Sequence, residues 1–386
     1  MRPINPASKL PRAGTTIFTV MSQLAAQHNA VNLGQGFPDF DCDPRLQHLL
    51  TEAMQAGHNQ YAPMVGVQAL REAIVNKNHA LYGHRHDPEA EVTITAGATQ
   101  ALMSTILALV HAGDEVIVLE PAYDNYVPSI ELAGGQPVFV PLDHKRGYAP
   151  DWDRVRSAIT SKTRMIIVNF PHNPTGRVLH DIDVAALERI VADTGVILVS
   201  DEVYEHIVFD GAPHRSLMRS PLLAPHTVVV SSFGKTFHTT GWKVGYACAP
   251  APLTVEIRKV HQFMAFAVNT PAQYAFTEYL KNPKPYVELP NFYQAKRDFF
   301  LAGLRTTPFR ALPCAATYFV LADYSQVSDL PEVDFAKQMI ADYGVASIPV
   351  SVFYDSPVEN RVVRFCFAKR ENTLQESIER LQCAPA

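Results

Sequence analysis

The chain predicts an α/β protein, an open and mostly parallel sheet with helices on both faces, followed by a smaller α+β unit. Three observations carry this reading. From about residue 90 to residue 250, short apolar runs recur: Glu115-Val116-Ile117-Val118-Leu119, Met165-Ile166-Ile167-Val168, Val196-Ile197-Leu198-Val199 and Val228-Val229-Val230. Parallel strands buried on both faces have this continuous character. Helix-like segments, such as Thr99 to Val110 and Ile182 to Ala192, fall between the runs and give the rhythm of βαβ units. After about residue 285 the pattern changes to a long helical stretch, Pro290 to Leu304, and to shorter strands around Thr317 to Leu321 and Val362 to Phe367. The expected organisation is an N-terminal arm over residues 1–40, a large domain over 41–285 and a small C-terminal domain over 286–386. The arm is rich in turn formers around Gly34-Gln35-Gly36-Phe37-Pro38-Asp39 and is expected to cross to the small domain.

Bulk composition narrows the function class. The 386 residues, 47% of them hydrophobic, suffice for a large core and more than one domain. A net charge of −5 from 38 acidic and 33 basic residues offers no basic stripe for nucleic acid and no polybasic segment for a membrane surface, which leaves small-molecule chemistry. Five scattered cysteines, odd in number and without a C-x-x-C pair, suggest neither a disulfide framework nor a zinc cluster. The start Met1-Arg2-Pro3-Ile4-Asn5 lacks the apolar segment of a signal peptide, so a cytoplasmic location is expected. The 15 histidines form no H-E-x-x-H, and no metal is expected.

Several polar motifs follow the apolar runs, where a parallel sheet presents side chains to a ligand crevice. Lys235 lies in Val230-Ser231-Ser232-Phe233-Gly234-Lys235-Thr236, although an ordinary loop lysine fits the local sequence equally well. Asp201 and Tyr204, in Asp201-Glu202-Val203-Tyr204, follow another run; an N-cap aspartate opening the next helix is the competing assignment. Asn173, in His172-Asn173-Pro174-Thr175-Gly176, has a side-chain donor for a ligand oxygen, yet Asn-Pro is also a generic turn. Thr95-Ala96-Gly97-Ala98-Thr99-Gln100 ends a strand and opens a helix, a natural phosphate cradle as well as a common packing turn. Ser232 and Lys243 can reach the same phosphate. Arg364 alternates with apolar residues in Val363-Arg364-Phe365-Cys366-Phe367, and its fork suits a carboxylate; Arg361 is the solvent-facing competitor. A lysine amine, a buried acid, phosphate donors and a carboxylate-binding cation are together what pyridoxal-phosphate (PLP) chemistry requires.

In this order, the motifs resemble the fold-type I PLP enzymes, class I aminotransferases, over nearly the whole chain. Asn32-Leu33-Gly34-Gln35-Gly36-Phe37-Pro38-Asp39-Phe40, Asn59-Gln60-Tyr61-Ala62-Pro63 and the Ser231 to Gly245 loop are most similar to the bacterial methionine aminotransferases and the kynurenine/glutamine aminotransferase group. The resemblance implies the PLP-dependent transferase fold, with a mostly parallel seven-stranded sheet in an α/β/α sandwich. It implies Lys235 as Schiff-base lysine and proton shuttle, Asp201 on the pyridine nitrogen, and Asn173 with Tyr204 on the phenolic oxygen. Tyr123 would stack on the cofactor, Gly97, Ala98, Thr99, Ser232 and Lys243 would surround the phosphate, and Arg364, Asn173 and Gly36 would hold the substrate carboxylate. An aromatic matching Tyr61 comes from the neighbouring subunit in this family, which implies a homodimer with shared sites. Phe18, Tyr61, Phe266 and Ile17 would line the side-chain pocket. Their apolar character favours methionine, aromatic amino acids or uncharged glutamine over aspartate. Relatives of the kynurenine type often carry tryptophan at the position of Phe18.

The implied reaction is ping-pong transfer of an amino group from an amino acid to a 2-oxo acid. β-Eliminating C–S lyases share the fold and form the rival enzyme class; independence of a 2-oxo acid would mark them. A regulatory amino-acid sensor would need a DNA-binding module, and none is visible. A nicotinamide-dependent dehydrogenase would need a G-x-G-x-x-G after a strand, which is absent.

Overall fold

The structure is a computed structural model and describes residues 7–384. In chain order its strands are β1 (Val31–Asn32), β2 (Val92–Thr95), β3 (Glu115–Glu120), β4 (Gln136–Pro141), β5 (Thr163–Asn169), β6 (Ile197–Asp201), β7 (Thr227–Ser232), β8 (Gly245–Cys248), β9 (Arg310–Ala311), β10 (Phe319–Asp323), β11 (Val345–Ala346), β12 (Ile348–Pro349) and β13 (Val362–Cys366). Seven of them form one sheet in the order β2-β8-β7-β6-β5-β3-β4. Strands β3 to β7 pair in parallel, and β8 runs antiparallel to both its neighbours. This is the mostly parallel seven-stranded sheet that the resemblance implies.

Continuous apolar runs form these strands because both faces are covered. On β5, Ile166 and Val168 pack into the core that holds Leu187 and Ile190 of the helix Asp181–Thr194. Met165 and Ile167 point the other way, into the core that holds Leu102 and Ile106 of the helix Gly97–Leu109. Strand β4 escapes the apolar-run signal because Pro137 and Pro141 interrupt it. It lies at the sheet edge, where a proline's missing N–H costs no ladder bond.

The C-terminal part carries an antiparallel sheet in the order β12-β13-β10-β9, backed by the helix Leu289–Leu304 that the pattern predicts. The N-terminal segment packs against it: the helix Ile17–Gln27 leads to β1, which pairs in parallel with β11, Val31 opposite Val345. Strand β10 begins two residues later than Thr317, where the sequence pattern starts it. Thr317 has φ +65°, a left-handed backbone that β-branched residues rarely adopt, and the fully buried residue is held there by its N–H donating to the Ile207 carbonyl at 2.8 Å. One continuous core joins Phe319, Leu321 and Phe365 of the small sheet to Ile117, Ile166 and Leu198 of the large one, so both sheets contribute walls to the crevice between them. No helix among the described residues is long and apolar enough to cross a membrane.

Candidate active site

The carboxyl ends of β5, β6 and β7 open onto a cavity of about 240 Å³. Asn169 ends β5 and Asp201 ends β6, paired across the ladder. The Asp201 carboxylate is 3% exposed; it accepts from the Tyr126 hydroxyl at 2.7 Å and from the Val203 N–H at 3.3 Å. Burial raises its pKa to about 6 against the opposing effect of these donors and of Lys235. The Asn169 side chain donates to the Asp201 carbonyl at 2.9 Å and accepts from the Asn173 N–H at 3.0 Å, tying the two loops into one wall. Tyr126 and Asn169 are site residues that the motifs do not single out. Tyr126 lies one helical turn beyond Tyr123 and reads as packing, while Asn169 reads as the polar end of a strand.

Lys235 sits on a single helical turn, Phe233–Thr236, that follows β7 and is capped by Ser232, whose hydroxyl accepts from the Gly234 N–H at 3.2 Å. Its amine donates to the Gly36 carbonyl at 3.2 Å and to the Tyr318 hydroxyl at 3.0 Å, and lies 5.8 Å from the centroid of the Tyr204 ring. Burial lowers its pKa from 10.5 to about 8, with Arg364 and Lys243 acting in the same direction. An ordinary solvated loop lysine has neither this burial nor this shift.

On the opposite wall the helix Gly97–Leu109 presents its N-terminus. Gly97 has φ +79°, and a Cβ on it would lie 3.2 Å from Lys243 Nζ, so glycine lets the ammonium approach the first turn. Ala98, Thr99, Tyr123 and Ser232 line the same space, with the Thr99 and Tyr123 hydroxyls 3.4 Å apart. Free N–H groups, a helix dipole and an ammonium make an anion cradle.

Arg364 on β13 is 1% exposed. Its Nη1 donates to Asn173 Oδ1 at 2.8 Å and its Nη2 to the Gly34 carbonyl at 3.1 Å, while its Nε is buried without a partner. The guanidinium carbon lies 3.9 Å from the Phe319 ring centroid, 5.4 Å from Phe18 and 5.5 Å from Phe353. Among the described residues, this buried cation, boxed by rings and neutral oxygens, forms no ion pair. Arg361 pairs with Asp329 on the surface at 2.8 Å. Gly36 has no room for a side chain, since a Cβ would meet the Phe319 ring at 2.9 Å.

Ile17 and Phe18 are both partly buried against the core. Tyr61 and Phe266 stand apart from the cavity within this chain; their rings meet edge to face at 5.2 Å, and Tyr61 is 82% exposed. Thus the structure gathers Lys235, Asp201, Tyr204, Asn173, Arg364 and the cradle residues, and leaves Tyr61 and Phe266 on the surface.

Behind the site, Glu205 is fully enclosed and accepts from Lys77 at 2.9 Å, Tyr82 at 2.5 Å, Ser231 at 2.6 Å and Tyr246 at 2.9 Å. Burial would raise its pKa, but Lys77 and the donors hold it well below the usual carboxylate range. The cluster joins the segment carrying Asp201 and Tyr204 to the strand carrying Ser232. Lys77→Met, which strands the carboxylate, is expected to destabilise the fold by about 3–5 kcal/mol, measured by denaturant unfolding.

Residues 28–381 match the aminotransferase class I and II family. The chain belongs to this family. Methionine aminotransferase of Escherichia coli is 50% identical over 381 residues, 98% of each chain. The solved N-succinyldiaminopimelate aminotransferase of Mycobacterium tuberculosis superposes with a TM-score of 0.94 at 41% identity, covering 98% of this chain and 99% of that one. Kynurenine–oxoglutarate transaminase 1 of Rattus norvegicus is 33% identical over 410 residues, 97% of each chain. Class I and II aminotransferases depend on PLP and act on amino and 2-oxo acids, and this aminotransferase keeps its polar groups around one cavity at the sheet ends.

Proposed function

We propose that this aminotransferase binds PLP in the cavity at Lys235 and moves the amino group of methionine, or of another apolar or aromatic amino acid, to a 2-oxo acid. The observation that carries the reading is the meeting of three groups that each want a partner: a buried lysine with a lowered pKa, a buried carboxylate with a raised one, and a buried arginine with an unpaired N–H. The residues fit the cofactor. Asp201 would face the pyridine nitrogen, Asn173 and Tyr204 the phenolic oxygen, Tyr123 the ring, and Gly97, Ala98, Thr99, Ser232 and Lys243 the phosphate. We take residues 41–285 as the domain that holds it, with the small C-terminal domain and the N-terminal arm closing the other side.

When bound, PLP supplies an electron sink for the amino acid's α-carbon. The chain does the rest. Arg364, with Asn173 and Gly36, fixes the carboxylate and thereby orients the α-hydrogen. Lys235 Nζ, lowered to a pKa of about 8, is placed to take the α-proton as the neutral amine and would hand it back, as the ammonium, to the cofactor's carbon on the other side of the amino nitrogen. Asp201, ionised above about pH 6, would balance a protonated pyridine nitrogen, with Tyr126 keeping its carboxylate aimed.

Phe18 and Phe353, 6.0 Å apart beside Arg364, offer an apolar wall that favours methionine or an aromatic side chain over a second carboxylate. Tyr61, Phe263 at 91% exposure, and Phe266 support a homodimer in which this apolar surface is covered and Tyr61 completes the partner's site. Capture of PLP by the cofactor-stripped protein requires the neutral amine. Its rate is expected to rise about tenfold per pH unit below pH 8 and to level off above, followed by stopped-flow absorbance. A rate flat from pH 6 to 9 would contradict this assignment of Lys235.

A further inference from the structure

Tyr318 has no part in the roles assigned above, yet it touches the reacting atom. Its hydroxyl donates to the Gly36 carbonyl at 2.6 Å, and the Lys235 amine lies 3.0 Å from the same hydroxyl and 3.2 Å from the same carbonyl. A phenol has one proton. With that proton spent on Gly36, Tyr318 faces Lys235 as an acceptor, and the amine meets two oxygens held in fixed register. The phenol is fully buried, and burial raises its pKa, so it stays neutral. Its ring packs edge to face on Tyr204 at 5.1 Å and near Phe319 at 4.9 Å, contacts that a phenylalanine would keep.

Local backbone strain aims this residue. Thr317, with φ +65° and no exposure, holds a conformation that is unfavourable for a β-branched residue and characteristic of functional sites. The turn sends consecutive side chains to the site: Tyr318 to the lysine and Phe319 beneath the Arg364 guanidinium.

We propose that Tyr318 is a positioning residue for transamination, docking the amine of Lys235 against the Gly36 carbonyl whenever that amine is free. The docked amine stays beside the reacting centre between its two proton transfers and cannot swing to solvent. Because Gly36 belongs to the N-terminal segment, Tyr318 leads into the small sheet and Lys235 follows the large one, the dock also ties three parts of the crevice wall to one another. This inference rests on the reading of Lys235 given above.

The test compares unmodified protein with Tyr318→Phe, which removes only the hydroxyl, and with Thr317→Gly, which takes up φ +65° without strain and leaves the hydroxyl in place. In full-length protein stripped of PLP by hydroxylamine dialysis, acetylation of Lys235 by acetic anhydride is followed against pH by mass spectrometry. Losing an acceptor disfavours the ammonium, so the Tyr318→Phe profile is expected to move to lower pH by about 0.5–1 unit, while Thr317→Gly is expected to keep the unmodified profile. In the reloaded enzyme, Tyr318→Phe is expected to lower kcat about tenfold with KM within about twofold. A Tyr318→Phe profile that superposes on that of the unmodified protein would overturn the dock. The acetylation profile needs no cofactor, so the dock is decided even if the protein fails to take up PLP, a failure that would overturn the cofactor assignment alone.

Discussion

Lys235→Ala is expected to abolish transamination, with kcat falling at least about 10³–10⁴-fold, because it removes the group we propose moves the α-proton. The cradle, Asp201 and Arg364 are untouched, so the variant should still bind PLP, without the absorbance band that depends on the lysine. Stability should hardly change. The amine is buried with two neutral oxygens as partners and its positive charge is already disfavoured there; its removal takes one favourable charge from Asp201, which keeps its donors Tyr126 and Val203. Turnover by half-reaction absorbance, alongside a thermal unfolding curve, checks both parts. Activity within tenfold of the unmodified protein would remove Lys235 from the mechanism.

Arg364→Lys carries the second large effect. The charge remains, but the planar fork that donates to Asn173 at 2.8 Å and Gly34 at 3.1 Å, packs over Phe319 at 3.9 Å and can hold a carboxylate through two parallel N–H groups is lost. Breaking one member of a buried, hydrogen-bonded charge pair costs about 2–5 kcal/mol, so kcat/KM should fall about 10²–10³-fold, mainly through KM for the amino acid. PLP affinity should stay within about threefold, since Arg364 stands away from the phosphate cradle. Steady-state kinetics and PLP titration separate the two, and a loss confined to PLP affinity would place Arg364 on the cofactor instead of the substrate.

Much of this site could be read in the chain because open parallel sheets expose functional residues where apolar runs end. Asp201, Asn173 and the Ser232 to Lys235 turn each follow such a run, and the structure brings them to one cavity. Arg364 was legible for a different reason, as a charge in a strand otherwise continuously apolar. Tyr318 was hidden because Ala316-Thr317-Tyr318-Phe319 reads as a half-buried strand; its role depends on a positive φ at Thr317 that no residue preference announces. Tyr126 was hidden because one aromatic a helical turn from another looks like packing, and only the fold brings its hydroxyl to Asp201 across 75 residues. Strand β4 went unread because its prolines mimic a loop, and only an edge position reconciles them with a sheet. Tyr61 and Phe266 lie on the surface of one chain, so neither local pattern nor a single protomer's packing shows what they face.

The most direct measurement is the visible absorbance of purified protein supplied with PLP, titrated in turn with methionine, phenylalanine, glutamine and kynurenine and then with a 2-oxo acid. A PLP-dependent band that shifts with the amino acid, most readily with methionine or phenylalanine, and returns when the 2-oxo acid is added is the predicted result. No band after PLP is supplied would contradict the central assignment, and release of ammonia and pyruvate from a cysteine conjugate without any 2-oxo acid would identify a lyase instead.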